Sequence, residues 1–204
     1  LAGWIASVHG EVDLIVNTHR PVPLEFHYFE HGRLTPLKRK LAAQHRTPCL
    51  TGAAARATRP WEGRTEPEEV LPVLHERDML PAIYFVFSRR GCEEALARCA
   101  GLSLVTPEEA GRIDAFVEEA LEETPSLAHH PYVRLLPLGL SVHHAGQLPA
   151  WKHLVERLFQ ANLVKVVFAT ETLAAGINMP ARTTVISSTT KRGDVGFRSL
   201  TASE

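Results

Sequence analysis

The chain lacks the features that mark several classes of protein. Its three cysteines, Cys49, Cys92 and Cys99, form no Cys-x-x-Cys pair, so we expect reduced thiols rather than a disulfide framework. No apolar run approaches the roughly 20 residues that cross a bilayer. The formal net charge is −1, although proteins that coat nucleic acid are usually strongly basic. We therefore expect a cytoplasmic protein with no membrane partner, in which any contact with nucleic acid depends on local sites.

What the chain does contain is a regular alternation of apolar strands and amphipathic helices from Val70 onward. Strands are predicted at residues 82–87, 138–142, 164–169 and 183–188. Helices are predicted at residues 91–100, after the capping box Thr106-Pro107-Glu108-Glu109, and after Pro149. Continuous apolar strands are typical of sheets buried on both faces. Their alternation with helices predicts an α/β fold with a parallel sheet.

The first third of the chain is less regular. Residues 1–20 carry a helical pattern and a short apolar strand, too little to bury a core of their own. Residues 20–24 contain two prolines and form a stiff, extended connector. A half-buried strand is predicted at residues 25–29, with a turn at His31-Gly32. Residues 43–69 show no periodicity and are predicted to form a mobile loop.

Polar side chains follow the predicted strands where each strand ends. The three segments are Ser88-Arg89-Arg90, His143-His144-Ala145-Gly146 and Thr170-Glu171-Thr172. If the strands are parallel, all three lie on one edge, where ligand sites of such sheets form. Hydroxyls at helix starts, a glycine that permits close approach and arginine charge all suit a phosphate. Ser88 or Thr170 alone could be an ordinary N-cap, but the three segments together favour a phosphate site.

The same segments carry a family resemblance. Residues 82–93, which end Phe-Ser-Arg-Arg-Gly-Cys-Glu, resemble motif IV of the Ski2-like group of superfamily 2 (DExH-box) helicases. Residues 140–149, Leu-Ser-Val-His-His-Ala-Gly-Gln-Leu-Pro, are similar to the next signature of that group. Residues 166–180, in which a strand runs into a Thr-started helical turn that stops at a glycine, resemble its fifth motif. The three matches occur in the expected order and resemble those of the ATP-dependent RNA helicases in this group.

The resemblance implies both a fold and a division of the chain. The fold would be a RecA-like (P-loop NTPase-type) α/β domain, with a parallel sheet and helices on both faces. Residues 1–20 would be the C-terminal tail of a first RecA-like domain. Residues 21–204 would be the second RecA-like (helicase C-terminal) domain, truncated before its last motif and carrying the mobile loop 43–69. The connector at residues 20–24 resembles the crossover between the two domains.

The resemblance also implies site residues. Residues at or near the bound nucleic acid would be Ser88, Arg89, His144, Gly146, Thr170, Glu171 and Thr172. Of these, the two threonines would hold phosphates of the strand, and Glu171 would tie the loop in place. Ser88 and Arg89 would lie at the nucleic-acid or interdomain face. Gly176 and Asn178 would face the nucleotide in the cleft between the domains.

Three motifs of these helicases are missing from the chain. It contains no glycine-rich Walker A loop, no DExH box to hold Mg²⁺ and no Gln-x-x-Gly-Arg-x-Gly-Arg motif with its arginine fingers. Phosphoryl transfer needs the phosphate cradle, the metal and the cationic clamp together. We therefore expect no catalytic residue and no Mg²⁺ ligand in this chain. ATP and Mg²⁺ would act in a longer parent protein, with single-stranded RNA, or DNA, and the first RecA-like domain as partners.

Other functions remain open on the sequence alone. A DNA helicase of the same group carries closely similar motifs. A non-catalytic RecA-like domain that serves as a protein-interaction platform would show no affinity for nucleic acid. An unrelated doubly wound enzyme, such as a sugar-nucleotide transferase, needs a catalytic carboxylate at a strand end, and Glu171 is the one candidate.

Several residues invite a functional interpretation that ordinary structure explains better. His143 and His144 are adjacent on a strand and point to opposite faces, so they do not chelate one ion readily. His129-His130 lies in an apparent loop, and no metal site is expected. Structural roles are predicted for the remaining residues: a buried pair at Cys92 and Cys99, a core position at Trp151, and a turn at Lys191-Arg192-Gly193-Asp194.

Overall fold

The computed structural model describes most of the second half of the chain. The described residues are Ile5, Ser7, Val8, Gly10, 23–37, 66–174, 179–188, 190–193 and 196–199. They fall into two compact units, one within residues 1–28 and 35–47 and the other within residues 29–34 and 48–204. In the first unit, Ile5, Ser7 and Val8 are helical. The predicted strand at residues 14–16 lies outside the described residues.

A β-hairpin precedes the main sheet in the chain. Its strands are β1 (His27–Glu30) and β2 (Arg33–Pro36), which form a two-stranded sheet. Both residues of the connecting turn have positive φ, 51° at His31 and 72° at Gly32. Glycine adopts that conformation without a steric penalty. The predicted turn is confirmed. The predicted strand is present but starts two residues later and ends one residue later, and it is mostly exposed rather than half-buried, with only Phe29 of β1 partly buried.

The main sheet has four parallel strands in the order β4-β5-β3-β6. Their bounds are β3 (Ala82–Phe85), β4 (Leu140–His143), β5 (Val166–Ala169) and β6 (Thr183–Ile186). Ala169 is in register with Phe85 on one side and with His143 on the other. The carboxyl ends of three neighbouring strands therefore finish in one row, as the sequence predicts.

In the part of the chain that the structure describes, four α-helices accompany this sheet: α1 (Pro67–Glu76), α2 (Arg89–Arg98), α3 (Pro107–Glu123) and α4 (Pro149–Gln160). Short 3-10 helices cover Cys99–Gly101, Pro125–His129, Val133–Leu138 and Glu171–Ala174. The predicted capping box begins α3. The Thr106 hydroxyl accepts from the Glu109 N–H at 3.2 Å, and the Glu109 carboxylate accepts from the Thr106 N–H at 3.0 Å.

Both faces of the sheet are buried. Side chains of a strand alternate between faces, and β5 shows the consequence. Val166 and Phe168 belong to a core cluster that includes residues of α1 and α2. Val167 and Ala169 belong to a second cluster, which includes residues of α3 and α4. Helices thus cover the two faces, which confirms the predicted α/β fold and agrees with a RecA-like helicase domain.

Three local predictions are wrong. Helix α1 begins at Pro67, so residues 67–69 are helical, and the part of the predicted loop before Glu66 lies outside the described residues. Proline at the first position and two acidic residues in the first turn favour that helix start. The predicted loop at His129-His130 is wrong at His129, which ends a 3-10 helix over Pro125–His129, whereas His130 lies outside regular structure.

The third concerns the predicted turn at residues 191–194. Strand β7 (Thr190–Gly193) occupies most of this segment and pairs antiparallel with β8 (Gly196–Ser199). Gly193, at the end of β7, pairs with Gly196, only three residues further along the chain. Turn-forming residue types therefore lie within the strand that precedes this short connection. A pattern that contains Gly and Asp marks the neighbourhood of such a connection but does not fix where the strand ends.

Candidate functional site

The three predicted site segments follow neighbouring strands at the same edge of the sheet. Ser88 follows β3, His144 follows β4 and Thr170 follows β5. The pairing of β3 with β5 continues past the strand end, where the Val86 N–H donates to the Ala169 carbonyl at 2.8 Å. The prediction that these segments share one edge is confirmed.

Helix α2 starts directly at this edge. Ser88 is its N-cap in extended conformation, and its hydroxyl accepts from the Gly91 N–H at 3.0 Å. Ser88 therefore has the ordinary capping role that the sequence left open. No acidic residue lies in the first turn of α2, so nothing on the helix itself neutralises the positive end of its dipole there.

The two arginines of this turn differ in their partners. The Arg90 Nε donates to Glu94 Oε1 at 2.7 Å, so its charge is paired along the helix. Arg89 is exposed, and among the described residues its guanidinium has no acidic partner. Its Cδ lies 3.3 Å from the point that a Cβ on Gly146 would occupy. Arg89 and Gly146, which are far apart in the sequence, are thus neighbours in the site.

His144 lies beneath this surface. Its side chain is only 3% exposed. The Gly146 N–H donates to its Nδ1 at 3.1 Å, and its Nε2 lies 3.3 Å from Glu93 Oε1. Burial lowers the pKa of His144, and the nearby Glu93 carboxylate opposes that shift only in part. A neutral, buried imidazole of this kind positions the loop around Gly146 and is not itself exposed to a ligand.

His143 points to another part of the molecule. Its Nε2 lies 2.9 Å from Glu156 Oε1 on α4, whereas His144 faces Glu93 on α2. The two rings therefore diverge, as the strand geometry predicts. Within the described part of the chain, no group of three His, Cys, Asp or Glu side chains could hold a metal ion.

The third segment is a short hydroxyl-bearing turn. The Thr170 and Thr172 hydroxyls lie 2.9 Å apart. The Leu173 N–H donates to the Thr170 carbonyl at 3.0 Å, and residues 171–174 form a 3-10 helix. Glu171 and Thr172 are exposed, and Thr170 is half-buried. Gly176 and Asn178 lie outside the described residues, so their predicted nucleotide contacts stay predictions.

Sequence reasoning missed a polar cluster that supports the loop. Gln147 Oε1 lies 2.8 Å from His130 Nε2, and the imidazole of His130 stacks on Trp151 with ring centroids 3.7 Å apart. Trp151 is fully buried and donates from Nε1 to the Val142 carbonyl, which confirms its predicted packing role. Gln147 and Glu93 lie within the recognised motifs. His130 gave no signal, because nothing in its local pattern distinguishes it from His129.

Two further expectations also have structural outcomes. Cys92 and Cys99 are buried, as predicted, and burial raises the pKa of each thiol to about 12. Within the residues that the structure describes, no helix is both long and apolar enough to span a membrane.

Relatives with known names match this chain over much of its length. HelY of Mycobacterium tuberculosis, a probable helicase, is 38% identical over 99% of this chain and 26% of its own length. The chloroplastic DExH-box ATP-dependent RNA helicase DExH15 of Arabidopsis thaliana is 34% identical over 94% of this chain and 20% of its own. The antiviral helicase SKI2 of Saccharomyces cerevisiae is 39% identical over 67% of this chain and 11% of its own length. No protein-family model matches the chain.

The chain therefore spans about a quarter, or less, of the length of these relatives. The match includes the three motif-bearing segments of the sheet edge in the relatives that cover nearly the whole chain. One relative is chloroplastic by name, so the cytoplasmic location expected from the sequence stays a prediction.

Proposed function

This chain belongs to the Ski2-like family of DExH-box helicases, and we propose that it is the second motor domain of an ATP-dependent RNA helicase. In this role the carboxyl edge of the sheet grips the phosphates of a single nucleic-acid strand. The observation that carries the proposal is Arg89, which has no acidic partner among the described residues, beside Gly146 and in the same row of strand ends as the hydroxyls of Thr170 and Thr172.

Each group at this edge has a chemical task in the proposed grip. The guanidinium of Arg89 binds phosphate oxygens through two parallel N–H donors. Gly146 lets the Arg89 side chain and the His144 ring lie close to the loop, since a side chain there would meet both. The hydroxyls of Thr170 and Thr172 donate to a neighbouring phosphate. Contacts of this kind hold a strand without reading its sequence.

The motor function needs a longer protein than this chain. ATP supplies the free energy of the cycle when it binds between this domain and a first RecA-like domain. Gly176 and Asn178 face the nucleotide in this proposal, and Mg²⁺ is held by the other domain. A difference in grip between the closed and open arrangements of the domains yields movement along the strand. The chain alone lacks the phosphate cradle, metal ligands and arginine motif, so we expect no ATP hydrolysis by it.

RNA is the proposed substrate because the name of one relative specifies an RNA helicase. The name of HelY gives no nucleic acid, so a DNA helicase remains the alternative within the family. A protein-interaction platform with this fold would bind neither RNA nor DNA.

The test is strand binding by the chain, measured as fluorescence anisotropy of labelled single-stranded RNA and DNA at several salt concentrations. Arg89→Gln should weaken binding about tenfold, through loss of a charge-assisted hydrogen bond. It should also reduce the magnitude of the salt slope by about 0.7, the value for one phosphate contact on a single strand. Arg90→Gln removes the same charge from the adjacent residue, which is paired with Glu94, and should have a much smaller effect.

The outcomes separate the candidate functions. Tighter binding of RNA than of DNA supports the RNA helicase, and the reverse order moves the assignment to a DNA helicase. Equal losses for the two arginine variants would contradict a specific role of Arg89. Failure of the wild-type chain to bind either strand would favour the interaction platform.

A further inference from the structure

We propose that Glu93 is a positioning residue for the strand-binding edge: its carboxylate holds the loop at residues 144–147 against the first turn of α2. The loop carries Gly146 and the turn carries Arg89, so Glu93 keeps these two groups side by side. The inference rests on the proposed function and assigns a task to a residue that does not itself contact the strand.

The spacing along α2 makes this possible. Glu93 lies four residues after Arg89, so both side chains project from the same face of the helix. Arg89 makes no ion pair with Glu93 among the described contacts. The carboxylate instead faces the loop, with Oε1 at 3.3 Å from His144 Nε2 and 3.4 Å from Gln147 Nε2. The carboxylate also hydrogen-bonds the Tyr132 side chain. It is thus engaged away from Arg89, whose guanidinium has no acidic partner among the described residues.

The ring of His144 connects this contact to Gly146. The Gly146 N–H donates to Nδ1 at 3.1 Å. On the other side of the ring, Nε2 lies 3.3 Å from Glu93 Oε1 and 3.0 Å from Gln147 Nε2. One ring thus joins the loop backbone to a carboxylate of α2. Through this ring, the position of Gly146 depends on the position of Glu93.

The other end of the loop has a separate anchor. Gln147 contacts His130 at 2.8 Å, and His130 is stacked on the buried Trp151 of α4. A change at Glu93 removes its contacts with His144, Gln147 and Tyr132 but leaves the contact of Gln147 with His130 in place. Glu93 belongs neither to a strand of the sheet nor to the second core cluster, so the fold should survive its substitution.

Charge and positioning predict opposite effects at this residue. Glu93 is a negative charge beside an edge that is proposed to bind phosphate. By Coulomb's law alone, its removal should strengthen strand binding. If the carboxylate positions the loop, its removal should weaken binding despite the gain in net positive charge.

The experiment compares Glu93→Gln with Glu94→Gln in the anisotropy assay with single-stranded RNA. We expect Glu93→Gln to weaken binding about fivefold, from the loss of a hydrogen bond to a charged group. Glu94→Gln makes the same change one residue further on, where the carboxylate bonds Arg90 and not the loop, and should leave affinity unchanged or raised. Urea unfolding of both variants checks that the fold is retained.

A double-mutant cycle and an NMR titration separate positioning from a general structural role. In an Arg89→Gln background, Glu93→Gln should lose most of its effect, because the group that it positions is gone. Glu93 favours protonation of His144, whereas burial, Arg89 and His143 oppose it. The ring signals of His144 should therefore titrate at lower pH in Glu93→Gln and not in Glu94→Gln.

His144→Asn provides a second variant. It keeps an acceptor near the Gly146 N–H but is too short to reach Glu93, and it should reproduce the loss of affinity. Unchanged or tighter binding by both Glu93→Gln and His144→Asn would overturn the inference, as would strict additivity with Arg89→Gln. If Arg89→Gln weakens binding and Glu93→Gln does not, this inference fails alone. If the wild-type chain binds no strand, the proposed function fails and the inference fails with it.

Discussion

At the scale of single residues, the proposed site depends on one glycine and on one charge that has no acidic partner among the described residues. Because Gly146 has no side chain, Arg89 can lie close to the loop. A Cβ at residue 146 would lie 3.3 Å from Arg89 Cδ and 3.1 Å from the ring of His144. Contacts of that length force neighbouring atoms to move. The residue type at position 146 therefore controls the distance between the guanidinium and the loop.

Gly146→Ala should weaken strand binding about tenfold, because the Arg89 side chain and the His144 ring must move apart from the loop and the guanidinium leaves its proposed position at a phosphate. The loop is exposed at this residue, so the free energy of unfolding should change by less than about 1 kcal/mol. Anisotropy and urea unfolding measure the two quantities.

Gly111→Ala is the matched control for that substitution. Gly111 lies in α3, is exposed, and has no atom within 4 Å of an added Cβ. Alanine there should leave strand affinity unchanged and stabilise the helix by about 0.5–1 kcal/mol. If Gly111→Ala weakened binding as much as Gly146→Ala, the effect would not come from the site.

The sequence was sufficient to predict which segments form the candidate site but not how they are supported. Strand ends in a parallel sheet share an edge, so Arg89, Gly146 and Thr170 could be grouped from pattern alone. The contacts of His144 with Glu93, and of Gln147 with His130, join residues from separate elements. Such contacts depend on the orientation of side chains, which periodicity does not contain.

At the scale of elements, one ion pair ties α3 to the edge of the sheet opposite the site. Lys165, just before β5, donates to Glu109 Oε1 at 2.6 Å and to the Asn162 carbonyl at 2.7 Å. The same Glu109 carboxylate closes the capping box of α3 through Oε2. Burial raises the pKa of Glu109, but the hydrogen bonds from Lys165 and Thr106 outweigh it, and the pKa is lowered from 4.5.

Glu109→Gln should therefore destabilise the fold by about 2 kcal/mol at neutral pH, since it leaves a nearly buried lysine without its charged partner. A carboxyl whose pKa is lowered on folding stabilises the fold above its unfolded value, and this contribution is lost as pH falls through the folded pKa. The difference in free energy of unfolding between wild type and variant should thus have its largest value at pH 7 and decrease below pH 4.5.

Urea unfolding at a series of pH values measures this difference, with Glu108→Gln as control. Glu108 lies in the same helical turn and is exposed. A constant difference between wild type and Glu109→Gln down to acid pH would show that the carboxylate charge contributes nothing to stability.

The elements themselves were largely predictable. The alternation of apolar strands and helices, together with the Thr106 capping box, predicted the sheet and α3 because burial on both faces and helix capping are local consequences of residue type. The 3-10 helix at Pro125–His129 and the strand Thr190–Gly193 were not predictable in this way. The first is too short to show periodicity, and the second is a strand through its pairing with β8.

At the scale of the whole molecule, the net charge of −1 gives no general attraction to nucleic acid. Under the proposed function, binding comes from the local arrangement at one edge of the sheet, where Arg89 has no acidic partner among the described residues and no acidic residue occupies the first turn of α2. Family membership supports a motor function for the longer relatives, of which this chain matches about a quarter or less.

The most direct test of this account is to map the strand-binding surface by NMR. Backbone amide shifts of the isotope-labelled chain are followed during titration with single-stranded RNA. If the chain grips the strand as proposed, the largest changes occur at residues 88–91, 144–147 and 170–173, along the carboxyl edge of the sheet. Changes concentrated at the opposite edge, at residues 79–82 and 163–166, or no changes at saturating RNA, would contradict it.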